Sequence, residues 1–288
     1  MICFTSGTLP PGGGFGRAVC DDMTTQARGA RTGGEMTTGT FLPEIIAHRG
    51  NAAEFPENTL QALASAVELG VKHVEFDVHL TSDKVPVVFH DSTLERVAGR
   101  EGNVHEMTWA QLSATPVGED KRFGQRFAHT YPPSLAQVVD AMEGWDGVTA
   151  FVEVKRASLR NFGRETVLRR VAEVLKPVLS RCVLISFDLP SVKVLRLMTG
   201  ARIGWVITEY TDTVRDEAAA LAPEFLFANI ERLPGDTEPF WPGPWAWAIY
   251  EVRDVRTARE CHARGARYVE TMAVRGLLQE YEDSRRQS

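Results

Sequence analysis

A chain of 288 residues, 43% hydrophobic and 24% charged, has the make-up of a globular protein, and its length suits two small domains or one α/β barrel. Its net charge of −6 argues against a nucleic-acid partner, because phosphate backbones select basic faces. No apolar run reaches the roughly 18 residues of a membrane-spanning helix, and no basic stretch with an apolar core opens the chain, so neither stable membrane insertion nor a secretory signal is expected. The four cysteines, Cys3, Cys20, Cys182 and Cys261, show neither metal-type nor framework spacing. Reduced thiols in a reducing, cytoplasmic compartment are expected.

Residues 1–40 are rich in Gly, Thr and Pro and carry no periodicity. They cannot bury enough apolar surface to offset their ordering entropy, so a disordered tail is expected. Met23 and Met36 offer alternative starts. Order is expected from residue 41 to about 282. Ile45–His48 reads as a short strand, and a helix follows with Leu60, Leu63, Ala64 and Val67 on one face, stopped by Gly70. Asn58 or Thr59 can cap it. Lys72–Leu80 and Val85–His90 read as strands with no helix between them. Residues 91–133 are polar and turn-rich, with a short capped helix at 108–112, and read as an insertion over the site.

Regular alternation follows. A helix at Leu135–Met142 leads to strand Thr149–Lys155, then to a helix with Val167, Leu168, Val171, Val174, Leu175 and Val178 on one face. Strand Val183–Phe187 precedes helix Ser191–Met198, and strand Ile203–Thr208 precedes helix Val214–Leu221. Strands Phe225–Ile230 and Trp245–Val252, helix Val255–Arg264 and strand Tyr268–Thr271 complete the series. Repeated βα units with apolar strands predict a TIM (β/α)8 barrel. Nine strands are one too many, so either the 72–90 pair is irregular or the last segment lies outside the barrel.

The chemistry concentrates between His48 and Asp91. Glu75 and Asp77 share one face of their strand, as Glu153 and Lys155 do of theirs. Three carboxylates from two strands suit one hard divalent cation, Mg²⁺ or Ca²⁺, rather than zinc. Arg49 and Lys155 then serve the phosphate. Three carboxylates and a divalent ion leave one negative charge, a phosphodiester adds another, and the two cations cancel both. His48 and His90 are the acid/base pair. A tight hairpin over 72–90 would set His90 across from Glu75, and a parallel pair would set it at the same rim. Glu57, Asn58, Phe187 and Trp247 are candidates for supporting the site or lining a substrate pocket. Phe240, Trp241, Trp245 and Trp247 form an aromatic cluster expected to pack in the core or rim, Trp247 being the member to test for substrate contact. His73 and His79 share the face of Glu75 without an evident role, and His105, His129 and His262 are expected at the surface.

At these residues the sequence resembles the glycerophosphodiester phosphodiesterase family. The matching stretches are His48-Arg49-Gly50, Pro56-Glu57-Asn58-Thr59, Glu75-x-Asp77, Thr81-x-Asp83 with Pro86-Val87-Val88, His90-Asp91, Glu153-x-Lys155 and Ser186-Phe187. The resemblance covers about residues 44–271. It implies a phospholipase-C-like TIM barrel that hydrolyses glycerophosphodiesters to glycerol phosphate and an alcohol. It also implies a divalent cation at Glu75, Asp77 and Glu153, phosphate contacts from Arg49 and Lys155, and acid/base roles for His48 and His90 through a cyclic phosphate. Three departures stand out. Lys84 replaces a turn glycine, so that turn should avoid positive φ there or use Asp83. Trp247-Ala248-Ile249-Tyr250 stands for Trp-Thr-Val-Asn, and Thr271-Met272 for Thr-Asp. The rival activities are a lysophospholipase-D-like one, favoured by an apolar mouth near Trp241–Trp247, and phosphodiester binding without turnover. Oligomeric state stays open, a homodimer being one option.

Overall fold

A computed structural model describes residues 42–235 and 237–286; the expected tail lies outside them. Nine strands are present: β1 (Glu44–Ala47), β2 (His73–Leu80), β3 (Pro86–Val88), β4 (Thr149–Val154), β5 (Cys182–Ser186), β6 (Arg202–Val206), β7 (Phe225–Asn229), β8 (Ala246–Tyr250) and β9 (Ala266–Thr271). All but β3 pair in parallel in the order β1-β9-β8-β7-β6-β5-β4-β2, and β1 pairs with β2 to close the ring. Removing β3 from the nine leaves the eight strands of a TIM barrel. The surplus strand is therefore β3, which lies antiparallel on β2, and the final segment is a barrel strand.

Closure follows from the alternation of side chains. Ile46, Phe151, Val183, Ile185, Val206, Phe225, Phe227, Ala248 and Tyr268 point inward and fill the barrel. Their neighbours, among them Ala47, Val152, Leu184, Leu226 and Val269, point outward into the layer beneath the helices. Strands apolar on both faces need cover on both, which the ring and its helices provide.

Thr59 caps the helix Leu60–Glu68, accepting from the Ala62 N–H at 3.2 Å, which leaves Asn58 free for another task. The long helix expected after β4 is two, Arg156–Phe162 and Arg164–Leu175, divided by Gly163 at φ 79°. No α-helix lies between β7 and β8 among the described residues. Phe240 and Trp245 cover the outer face there, packed with Trp247. The region 91–133 is more than turns. Leu94, Val97, Val104, Leu112 and Val117 form a small core of their own with Val87 and Phe89.

The turn joining β2 to β3 differs from expectation. Lys84 itself takes φ 64°, and its N–H donates to the Thr81 carbonyl at 2.9 Å. The left-handed conformation costs a side-chain-bearing residue about 1–2 kcal/mol, which the turn's hydrogen bonds offset. Lys84→Gly should therefore raise unfolding free energy by up to about 1 kcal/mol, the gain being trimmed by glycine's larger entropy loss. Urea denaturation of the two proteins measures it, and a loss of stability would contradict the strain.

Candidate active site

The C-terminal ends of the strands hold almost every polar residue singled out in the sequence, as they do in this barrel type. At the end of β1 the chain turns through Arg49 (φ 56°) and Gly50 (φ 82°). A Cβ on Gly50 would meet the Ala62 carbonyl carbon at 2.4 Å, so the backbone of the following helix approaches too closely for any side chain. This turn directs the Arg49 N–H to Glu75 Oε2 at 3.1 Å and its guanidinium to Glu57 Oε1 at 3.0 Å. Arg49 Nε lies 3.3 Å from Asp77 Oδ2, an ion pair at an angle that makes no hydrogen bond.

Asn58, left-handed at φ 57°, holds Asp77 twice. Its amide donates to Oδ2 at 2.8 Å, and its carbonyl oxygen accepts the Asp77 N–H at 3.1 Å. Lys155 spans Asp77 Oδ1 at 3.1 Å and Glu153 Oε1 at 3.0 Å. Glu57 receives both Nη atoms of Arg96, at 2.7 and 2.6 Å, and so ties the insertion to the site. Its partners are arginines, which makes it a support for Arg49.

His48 is buried. Its Nε2 is 4.0 Å from Glu75 and its Nδ1 4.0 Å from Glu251. His90 is more open and gives Nδ1 to Asp91 Oδ1 at 2.6 Å; Arg96 holds the other Asp91 oxygen at 2.7 Å. The Phe89 N–H donates to the Asp77 carbonyl, and with Val78 facing Val88 this register carries His90 opposite Phe76, one residue away from the expected Glu75. Both histidines nevertheless line one cavity with Arg49, Glu75, Glu153, Lys155 and Phe187.

Three polar residues of that cavity carry no motif signal: Tyr250, Glu251 and Glu270. Glu270 was accessible in principle, because a glutamate in a strand of Tyr and Val at barrel spacing is as anomalous as Glu75. Trp247 corrects an expectation. It sits on the outward parity of β8, packs on Phe240, Trp241 and Trp245, and donates its indole N–H to the Trp241 carbonyl. The aromatic cluster is therefore outer-layer packing. His79 lies beneath the site, with Nε2 on the His90 carbonyl at 3.0 Å and Nδ1 on Ser158 Oγ at 2.9 Å. His105 is half-buried and joins this pair, 3.0 Å from His79, and His262 is half-buried on the Ala266 carbonyl. His73 pairs with Glu44 at the opposite end of β2.

Electrostatics follow from burial. Burial, then Asp77, Glu270 and Glu153, pushes Glu75 well above the carboxylate range. Burial, then Asp77 and Glu153, does the same to Glu270, and burial with Asp77 raises Glu153 despite Lys155. Burial would also raise Asp77, but Lys155, His90, Arg49 and the Asn58 amide outweigh it and hold Asp77 far below. Burial and then Arg49 keep His48 neutral. Burial lowers His79 to about 3, and raises Tyr250 to about 12 with help from Glu270 and Glu153. The ligand atoms of Glu75, Asp77 and Glu153 lie within 4.8 Å of one another, as do those of His48, Glu75 and Glu270, and Glu270 Oε1 is buried without a partner. All-oxygen donors with uncompensated negative charge fit a hard divalent cation.

The family model for glycerophosphoryl diester phosphodiesterases matches residues 48–230, from the first histidine to just past β7. The chain belongs to this family. A glycerophosphodiester phosphodiesterase of Caldanaerobacter subterraneus is 40% identical over 96 residues, 33% of this chain and 39% of that protein. Human glycerophosphodiester phosphodiesterase 1 is 34% identical over 110 residues, 38% of this chain and 33% of that protein. A human lysophospholipase D is 40% identical over 72 residues, 25% of this chain and 23% of that protein. These alignments thus span about a quarter to two-fifths of the relatives. Among solved structures, a phosphodiesterase of Oleispira antarctica in complex with the product sn-glycerol-3-phosphate superposes with a TM-score of 0.70 at 24% identity, over 84% of this chain and 98% of that one. A Silicibacter pomeroyi structure gives 0.72 at 22%, over 85% and 94%. At such identities the likeness is one of fold.

The raised carboxylates make the metal-free protein sensitive to pH. Their folded-state pKa values exceed the unfolded ones, so the folded state holds more protons and stability falls as pH climbs from about 4.5 through the raised values. His48 and His79, lowered, act in the opposite sense up to about pH 6.5. The difference between metal-loaded and metal-free protein at one pH isolates the carboxylates. The rise in Tm on adding Ca²⁺ or Mg²⁺ should be larger at about pH 8 than at about pH 5. Differential scanning fluorimetry reads it, and an equal rise at both would count against a cation held by these groups.

Proposed function

We propose that this protein hydrolyses glycerophosphodiesters to glycerol phosphate and an alcohol. The observation that carries the reading is the single cavity lined by His48, His90, Arg49 and Lys155 above buried carboxylates. We assign the activity to the barrel, residues 41–282, with 91–133 as its insertion. Phosphate oxygens would be held by Arg49, which Glu57 orients, and by Lys155. Glu75, Asp77 and Glu153 would hold a divalent cation, Mg²⁺ or Ca²⁺, which supplies charge neutralisation at the phosphoryl oxygens.

His48, neutral because it is buried beside Arg49, is suited to accept the proton of the substrate's own glycerol hydroxyl as that oxygen attacks phosphorus. His90 presents Nε2 while Asp91 accepts from Nδ1 and offsets the charge of a protonated ring, so it is suited to protonate the departing alcohol. The product of this step is a cyclic phosphate. Water then opens it as the two histidines exchange roles. Holding the attacking hydroxyl within the substrate makes the first step intramolecular. A cytoplasmic setting is part of the proposal, on the buried, unpaired thiols of Cys182 and Cys261. Among the described residues no helix is long and apolar enough to cross a membrane.

His48→Ala, His90→Ala and Glu75→Ala should each lower kcat by about 100-fold or more, with chelation abolishing turnover and added cation restoring it. Release of glycerol phosphate from glycerophosphocholine or glycerophosphoethanolamine is the assay. Full activity in any of the three variants would refute the assignment.

The size of the cavity supports one substrate class over the other. It is small, about 90 Å³, which favours a compact glycerol phosphate over an acyl chain. Deacylated diesters should therefore be turned over at least about tenfold faster than their lysophospholipid counterparts, compared by kcat/KM. The reverse order would favour a lysophospholipase D.

A further inference from the structure

Glu270 takes no part in the reaction outlined above. It stands on β9, paired with Ile46 on one side and Tyr250 on the other, and its side chain enters the cavity at the barrel mouth. It is 3% exposed, and its Oε1 is buried with no hydrogen-bond partner. A carboxylate in that state demands a balancing charge.

Among the described residues no cation supplies one. Lys155 serves Asp77 and Glu153, Arg49 serves Glu57 and Asp77, and Arg96 serves Glu57 and Asp91. Glu75 receives a backbone N–H from Arg49, and its nearest ring nitrogen is 4.0 Å away. The uncompensated negative charge therefore lies between Glu75 and Glu270. Ligand atoms of these two fall within 4.8 Å of each other, and Glu75 also belongs to the trio with Asp77 and Glu153.

We propose that Glu270 is a further ligand of the divalent cation, so that one ion is held from β9 as well as from β2 and β4. This deepens the proposed function and rests on it. Four carboxylates around one ion favour Ca²⁺, which takes six to eight oxygens in flexible geometry, over Mg²⁺, which keeps several waters. The added negative charge tightens binding. His48, whose nitrogens suit hard cations poorly, is left to proton transfer.

Calorimetric titration of metal-free, full-length protein with CaCl₂ and MgCl₂ tests this without reference to turnover. The unaltered protein should bind one ion per chain, Ca²⁺ more tightly. Glu270→Gln should weaken Ca²⁺ binding by at least about tenfold while leaving the far-ultraviolet circular dichroism unchanged. Should the Gln variant fail to fold, Glu270→Asp, shorter by one methylene, should show a smaller but measurable loss. Affinity equal to that of the unaltered protein in a folded variant overturns the inference. Two ions per chain, one of them lost with Glu270→Gln, overturns its single-ion form. If the unaltered protein binds neither cation, the metal reading of the whole site fails instead.

Discussion

Four carboxylates, Glu75, Asp77, Glu153 and Glu270, are buried around one barrel mouth, and much of the surrounding architecture follows from that. A buried charge is tolerable only when it is paired or hydrogen-bonded. The chain meets this demand unevenly. Asp77 has a lysine, an arginine and an asparagine amide, and is ionised at any working pH. Glu75 and Glu270 have far less, and their burial beside other acids drives them toward protonation. The site is thus polarised, with one flank neutralised by the chain's own cations and the other left with little compensation. Burial also keeps His48 uncharged, so one desolvation acts in opposite senses on the acids and on the imidazole.

The sequence disclosed the fold through periodicity and the site through anomaly. Apolar strands at regular spacing can be satisfied only by a covered parallel sheet, and Glu75-x-Asp77 is visible because acids at period two do not belong in such strands. The ambiguous ninth strand could not be decided from apolar content. Pro86–Val88 is as hydrophobic as a barrel strand, and only the short turn before it betrays an antiparallel partner. The short core of the insertion was hidden for a related reason: Leu94, Val97, Val104, Leu112 and Val117 are too widely scattered to form a period.

Misjudged residues have physical causes as well. Trp247 and Tyr250 stand three apart on one strand, so they have opposite parity and only one can face the ligand. Assigning parity from sequence needs a register, and β8 carries an irregularity between Trp247 and Ala248 against β9. Lys84 adopts the backbone angle that glycine would supply, because the Thr81 carbonyl captures its N–H whatever the side chain. His105 lies in a polar stretch and gives no sign of being drawn down onto His79 and Ser158.

The placement of β3 outside the ring divides the candidate site between two frames. His48, the carboxylates and Lys155 ride on strands whose mutual positions are dictated by barrel geometry. His90 rides on an appended hairpin, seated by Asp91, Arg96 and Glu57 and by the packing of the insertion. The spacing between the two histidines is consequently an adjustable dimension of the architecture. Sequence drift in the appendage can change that gap, and the cylinder itself need not change.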